Sequence, residues 1–155
     1  MPIMYGLNFT ISVMPVFDLH SHSTASDGTL SPADLVSRAA EAGVDYLALT
    51  DHDTTACLGE ARQAAKNHQL TIISGCEVSA TWGSSTIHIV ALNISDENVE
   101  LQAGLEKIRE HRLWRAREIG RKLEKKGIPD AYEGAVKLAK GKLISRTHFA
   151  HFLAN

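Results

Sequence analysis

The sequence predicts an α/β domain built on a parallel sheet. Extended apolar runs alternate with helical periods, and side chains suited to metal binding cluster at the ends of those runs. The 155 residues, 44% of them hydrophobic, contain no low-complexity tract and can bury one core of ordinary size.

Val16 to His22 is the first extended run, and strand alternation puts Asp18, His20 and His22 on one face. A polar loop with Ser26-Asp27-Gly28 follows. Ser31-Pro32-Ala33-Asp34 reads as a helix start, with Ser31 as N-cap, Pro32 at the first helical position and Asp34 set against the helix dipole. Gly43 stops that helix. Val44 to Thr50 is a second strand ending in Asp51-His52-Asp53, and Thr55 to His68 an Ala-rich helix. Such alternation predicts parallel strands with ligands beyond their carboxyl ends.

Thr71 to Ser79 and Thr86 to Ile94 are two more strands. The Trp82-Gly83-Ser84-Ser85 connection is too short for a crossover helix, so they are expected to pair as a hairpin. Leu101, Leu105, Ile108, Ile119 and Leu123 mark a long helix from about Asp96 to Gly127, with Pro129 beyond. Residues 131–140 and 146–154 read as short helices. No further strand follows, which would be mid-domain for a barrel of about 250 residues.

Net charge is only −2, but residues 1–105 carry twelve acidic and three basic groups, and residues 106–126 nine basic and four acidic. An acidic, His-bearing half suits cations and a basic segment suits phosphate, although a solvated helix face explains the basic run equally well. Cys57 and Cys76 have no paired spacing, consistent with a reducing cytoplasm. The first basic residue is Arg38, so the positive start of a secretory signal is missing. No apolar stretch reaches the roughly twenty residues that span a bilayer. Met14-Pro15-Val16-Phe17-Asp18 reads as a translation start, which makes residues 1–13 an upstream extension and residues 14–155 the domain.

Six residues are candidate metal ligands: His20, His22, Asp27, His52, Glu77 and His88. Imidazole with carboxylate suits Mn, Zn or Fe, and the absence of thiolates argues against a structural zinc knot. A lone HxH is weak evidence. Followed in order by the Asp27-Gly28-Thr29 loop, Thr50-Asp51-His52-Asp53, Gly75-Cys76-Glu77 and Ile87-His88-Ile89, it resembles the PHP (polymerase and histidinol phosphatase) family of metallophosphoesterases.

The resemblance covers residues 16–155 and implies the N-terminal part of a distorted seven-stranded β/α barrel of TIM-like type. It implies that His20, His22 and Glu77 bind one ion, that Glu77 bridges to a second held by His88, and that Asp27 and His52 bind a third. Two to three divalent ions follow, Mn2+ preferred, with Zn2+ and Fe2+ as alternatives, and Glu77, His52 and Asp27 are the candidate catalytic groups. The family's remaining ligands, one His and a later Asp-x-His pair, have no counterpart after His88.

Asp18-Leu19-His20-Ser21-His22-Ser23-Thr24-Ala25-Ser26-Asp27-Gly28, Ile87 to Ile94, Arg112-x-x-Arg115-Ala116 and Ser145-Arg146-Thr147-His148-Phe149-Ala150 most resemble one branch of the family. That branch acts on 3′,5′-nucleoside bisphosphates and 5′-phosphorylated short RNA as a 5′-to-3′ exoribonuclease. Its implied partner is a phosphorylated nucleotide or short RNA, with neither a membrane nor an obligate protein partner, although an incomplete barrel invites self-association. The alternatives are a histidinol-phosphatase-like enzyme and a non-catalytic module of a larger protein.

Arg112, Arg115, Arg146 and His148 are candidate phosphate contacts, because guanidinium forks match phosphate oxygens. Asp18 and Asp51 can support a ligand, either by orienting an imidazole or by capping a strand end. His68 and His111 lie in polar helical stretches and are expected to play no part at the site. Cys57, Cys76 and Trp82 are expected to be packing residues.

Overall fold

The computed structural model describes residues 14–140 and 143–154. The expectation for residues 1–13 lies outside the described residues. A four-stranded sheet in the order β1-β2-β3-β4 is built from Phe17–Ser21, Tyr46–Leu49, Thr71–Trp82 and Ser85–Leu92. The first three strands are parallel and the last is antiparallel, as the alternation followed by a short connection predicts.

Helix α1 (Pro32–Glu41) starts and stops where its caps dictate. Ser31 Oγ accepts from the Asp34 N–H at 3.1 Å. At the other end Gly43 has φ +79°, and Val44 N–H donates back to Ala39 C=O at 3.0 Å. Helix α2 (Leu58–Ala65) is shorter than expected at both ends, since Thr55 to Cys57 precede it and Lys66 to His68 form a turn after it. Both helices pack on β2 through Val36, Ala39, Leu47, Leu49, Leu58 and Ala61.

β3 changes partner midway. Its first half pairs with β2 as far as Ser74, and from Gly75 to Trp82 it pairs with β4. Two residues, Gly83 and Ser84, make the turn, and Gly83 supplies the positive φ of +59° that a tight hairpin of this hand requires. The strands run further toward the tip than expected and leave Trp82 79% exposed, so Trp82 is not a packing residue. Cys57 and Cys76 are buried thiols, as expected.

Helix α3 (Val99–Glu124) begins three residues later than the periodicity suggests. Asn98 caps it by accepting from Leu101 N–H at 2.8 Å, while Asp96 is occupied by the Arg62 guanidinium at 2.7 and 2.8 Å. Helices α4 (Ala131–Ala139) and α5 (Arg146–Ala154) complete a second, smaller core around Ala116, Ala135 and Phe149. No helix among the described residues is long and apolar enough to cross a membrane.

Candidate metal centre

The parallel strands deliver donors to one end of the sheet. His20 and His22 come from the end of β1, His52 from the loop after β2, Glu77 from β3 and His88 from β4. β1 carries a register irregularity between Asp18 and Ser21, so strict alternation is broken, yet the His20 and His22 Nε2 atoms still stand 3.1 Å apart. Glu77 is not at a strand end but inside β3, where an isolated bridge to His52 continues the parallel pairing beyond Leu49.

Glu77 is the hub. Its Oε2 lies 2.9 Å from His22 Nε2, 3.2 Å from His20 Nε2 and 3.5 Å from His52 Nδ1, and its Oε1 lies 3.5 Å from His88 Nδ1. Asp27 stands on the other side, 3.2 Å from His22 Nδ1 and 3.8 Å from His52 Nε2. Three overlapping donor groups result: His20, His22 and Glu77; His22, Asp27 and His52; His52, Glu77 and His88. The second and third groups each gain a residue over the expected pairs, because His22 and His52 offer a different ring nitrogen to each side.

The donor set fits divalent cations. His52 Nδ1 is buried and makes no hydrogen bond with any described group, its distance to Glu77 being too long. An unpaired buried nitrogen is costly, and a cation would satisfy it. Burial, followed by the Arg112 charge, holds the His52 imidazole below its ordinary pKa, which keeps the lone pair available. Burial would raise the Glu77 pKa, but the His20 contact and the neighbouring imidazoles outweigh it and keep the carboxyl ionised. Asp27 is held well below the carboxylate range by its hydrogen bond with His22.

The same bond raises the His22 pKa. Metal binding requires neutral imidazole, so protons compete for His22 from above its ordinary value of about 6.5. Manganese affinity measured by calorimetry should therefore weaken as pH falls from 8 to 6. A flat affinity over that range would contradict the assignment of His22 as a donor.

Among the described residues, Asp51 and Asp18 accept hydrogen bonds from backbone N–H groups and serine hydroxyls rather than from an imidazole. Asp51 is fully buried and accepts from Ser23 N–H and Oγ–H at 2.9 and 2.7 Å and from Ser26 N–H and Oγ–H at 3.0 and 2.6 Å. It thereby fixes the loop that presents His22 and Asp27. Gly28 closes that loop, for a Cβ there would lie 2.1 Å from the His22 carbonyl oxygen. Asp18 accepts the backbone N–H of His20 at 3.3 Å.

Arg112 is not a free phosphate contact. It is 4% exposed, its Nε donates to Asp53 Oδ2, and its Nη2 donates to Ser79 Oγ at 2.7 Å. Asp53 also accepts from the Ser79 N–H at 2.6 Å and its hydroxyl at 2.8 Å. Sequence reasoning passed over Asp53, whose signal was its place beside His52, and over Thr147, whose hydroxyl donates to Asp27 Oδ2 at 3.2 Å. Arg115 is half-buried, and burial followed by the charges of Arg112 and Arg146 lowers its pKa. His148 turns Nδ1 to the Ser145 N–H at 3.0 Å, and burial lowers its pKa. His68 is distant from the cluster, with Nε2 3.4 Å from the Ser37 hydroxyl.

The family model described as PHP domain matches residues 18–141. The chain belongs to the PHP domain family. Two PHP relatives are a 5′-3′ exoribonuclease of Haemophilus influenzae, 50% identical over 137 residues, and a 3′,5′-nucleoside bisphosphate phosphatase of Chromobacterium violaceum, 46% identical over 143. These alignments take in 88% and 92% of this chain and 50% of each relative, so the chain spans about half the length of the curated relatives it matches. Among solved structures, an amidohydrolase from Chromobacterium violaceum with bound sulfate and no metal superposes with a TM-score of 0.85 at 47% identity, over 89% of this chain and 49% of that one. A protein of Bifidobacterium adolescentis described as a metal-dependent phosphoesterase gives 0.83 at 29% identity, over 90% and 50%. The mixed four-stranded sheet is accordingly a PHP-type half-barrel.

Proposed function

We propose that this chain is part of a metal-dependent phosphoesterase acting on 3′,5′-nucleoside bisphosphates and on the 5′-phosphorylated ends of short RNA. The observation that carries the reading is the convergence of three overlapping donor groups on Glu77, His22 and His52, with a buried imidazole nitrogen left unpaired between them. The substrate class is supported by what the relatives at 46% and 50% identity are named for.

His20, His22, Asp27, His52, Glu77 and His88 would hold two to three divalent ions, and their nitrogen and oxygen donors suit Mn2+, with Zn2+ or Fe2+ as alternatives. Such ions supply charge stabilisation at a phosphoryl group and a lowered pKa for water there. The chain's own groups do the positioning. Glu77 joins two donor groups through its two oxygens, and Asp51 holds the loop that aims Asp27. Thr147 ties the start of α5 to Asp27, and His148 lines the same cleft as Asp27. Arg115 and Arg146 would then meet phosphate oxygens, with neutral His148 as a hydrogen-bonding neighbour.

In this reading residues 14–155 form the N-terminal part of a distorted seven-stranded barrel in a cytoplasmic enzyme. β1 and β4 are the edges of the described sheet, and Phe17, Leu19, Ile87 and Ile89 are exposed along them. Unpaired edges with apolar side chains invite association. The chain alone is expected to self-associate by light scattering and to release no phosphate from adenosine 3′,5′-bisphosphate. Continued by the remaining half of the Chromobacterium violaceum relative, it is expected to release phosphate with added Mn2+ and to stop with EDTA. A metal-loaded chimera that leaves the bisphosphate intact would overturn the reading.

A further inference from the structure

One face of the β3–β4 hairpin continues past the metal cluster. Glu77, Ser79 and Thr81 share that face by alternation, and across the strands Ser79 pairs with His88 and Thr81 with Thr86. Helix α3 lies over this extension and encloses a groove of about 260 Å³. Lys107, His111 and Arg115, spaced at four-residue intervals, line its helical wall, and Ser79, Thr81 and Thr86 line its strand wall. Lys107 and His111 are exposed, and no described carboxylate lines the groove. Trp114, 59% exposed, lies against the His111 ring with centroids 5.4 Å apart at 33°.

We propose that this groove between the β3–β4 hairpin and α3 is a single-stranded RNA track, which holds the backbone phosphate of a nucleotide neighbouring the one at the metal cluster. The inference rests on the phosphoesterase reading above and names a second contact region for its polymeric substrate. Three chemical matches carry it. Basic side chains on a wall that no described carboxylate lines suit a phosphodiester, the Thr81 and Thr86 hydroxyls on the facing wall suit its oxygens, and an exposed indole suits a base face. Distance supplies the polymer. Thr81 is four residues beyond Glu77, about 13 Å at strand rise, so a phosphate bound there belongs to a neighbouring nucleotide.

The test uses the Mn2+-loaded chain. Fluorescence anisotropy would follow a 5′-phosphorylated RNA pentamer with phosphorothioate linkages, and calorimetry would follow adenosine 3′,5′-bisphosphate. The pentamer should bind about tenfold more tightly than the bisphosphate. The double variant Lys107→Glu/His111→Ala should remove that advantage and make the logarithmic salt slope shallower by about 0.7 per lost phosphate contact. Trp114→Ala should weaken the pentamer about fivefold without changing the slope. Neither variant should alter bisphosphate binding. A pentamer no tighter than the bisphosphate, or indifferent to the double variant, would overturn the track while leaving the bisphosphate reading intact. Polyglutamate of equal charge competing as well as RNA would also overturn it, assigning the groove to acidic peptides. Groove-dependent pentamer binding without bisphosphate binding would support the track and count against the phosphoesterase reading.

Discussion

Glu77→Gln is expected to empty more than one metal position at once. Glu77 contributes one oxygen to His20 and His22 and the other to His88, so two of the three donor groups lose their only carboxylate. A neutral amide keeps the shape but not the charge, and it cannot join two cations as a carboxylate does. Removing even an outer hydrogen-bond partner of a ligand typically weakens metal binding by about 10–100-fold, so losing this shared ligand should exceed about 100-fold. Elemental analysis after gel filtration should show the Glu77→Gln chain losing metal at both groups, and any metal-dependent turnover should vanish with it. His68→Ala is the control, since the hydrogen bond of His68 among the described residues is to Ser37, outside the cluster. Equal metal loss in the two variants would mean that Glu77 is not the hub.

Arg112→Met should cost the protein several kcal/mol of stability. The Arg112 guanidinium and the Asp53 carboxylate are 4% and 0% exposed at the side chain, and Ser79 closes the network. Removing the cation leaves a buried carboxylate without its partner, which typically costs about 3–5 kcal/mol. The exposed-side counterpart is Arg62 with Asp96, where Arg62 is 44% exposed and solvent screens the pair. Arg62→Met should cost about 0–1 kcal/mol. Urea denaturation of both variants would separate the two cases, and a loss below about 1 kcal/mol for Arg112→Met would contradict the buried-pair account. Because Asp53 follows His52, and its N–H donates to the Glu77 carbonyl at 3.1 Å, Arg112→Met should also loosen the cluster.

Much of the architecture was legible because local chemistry announces itself. Ser31 and Gly43 bound α1 as cap residues do, and the four residues between Thr81 and Thr86 leave room only for a turn. The donors were legible as residue types in a characteristic order, since imidazoles and carboxylates together are the ligand types of divalent cations. What was hidden depends on contacts between distant positions. Nothing local to Arg112 reveals that Asp53, 59 positions away, takes its guanidinium, so a basic helix that reads equally well as phosphate-binding or as a solvated face contains a buried structural cation. Asp51 was noticed for standing beside His52, but its partners Ser23 and Ser26 lie on another loop. The sharing of His22 and His52 between groups needed ring orientation, which sequence does not carry. Trp82 has no chemical partner pattern in the sequence and so reads as packing, whereas its place at the hairpin tip exposes it.

The most direct measurement for the central claim is an anomalous difference map recorded at the manganese edge from crystals soaked in Mn2+. The account predicts more than one peak among His20, His22, Asp27, His52, Glu77 and His88, with two of them sharing Glu77. The strongest should lie at His20, His22 and Glu77, where the donor atoms are closest at 2.9 to 3.2 Å. A single peak elsewhere on the surface, or none within reach of Glu77 under saturating Mn2+, would contradict it.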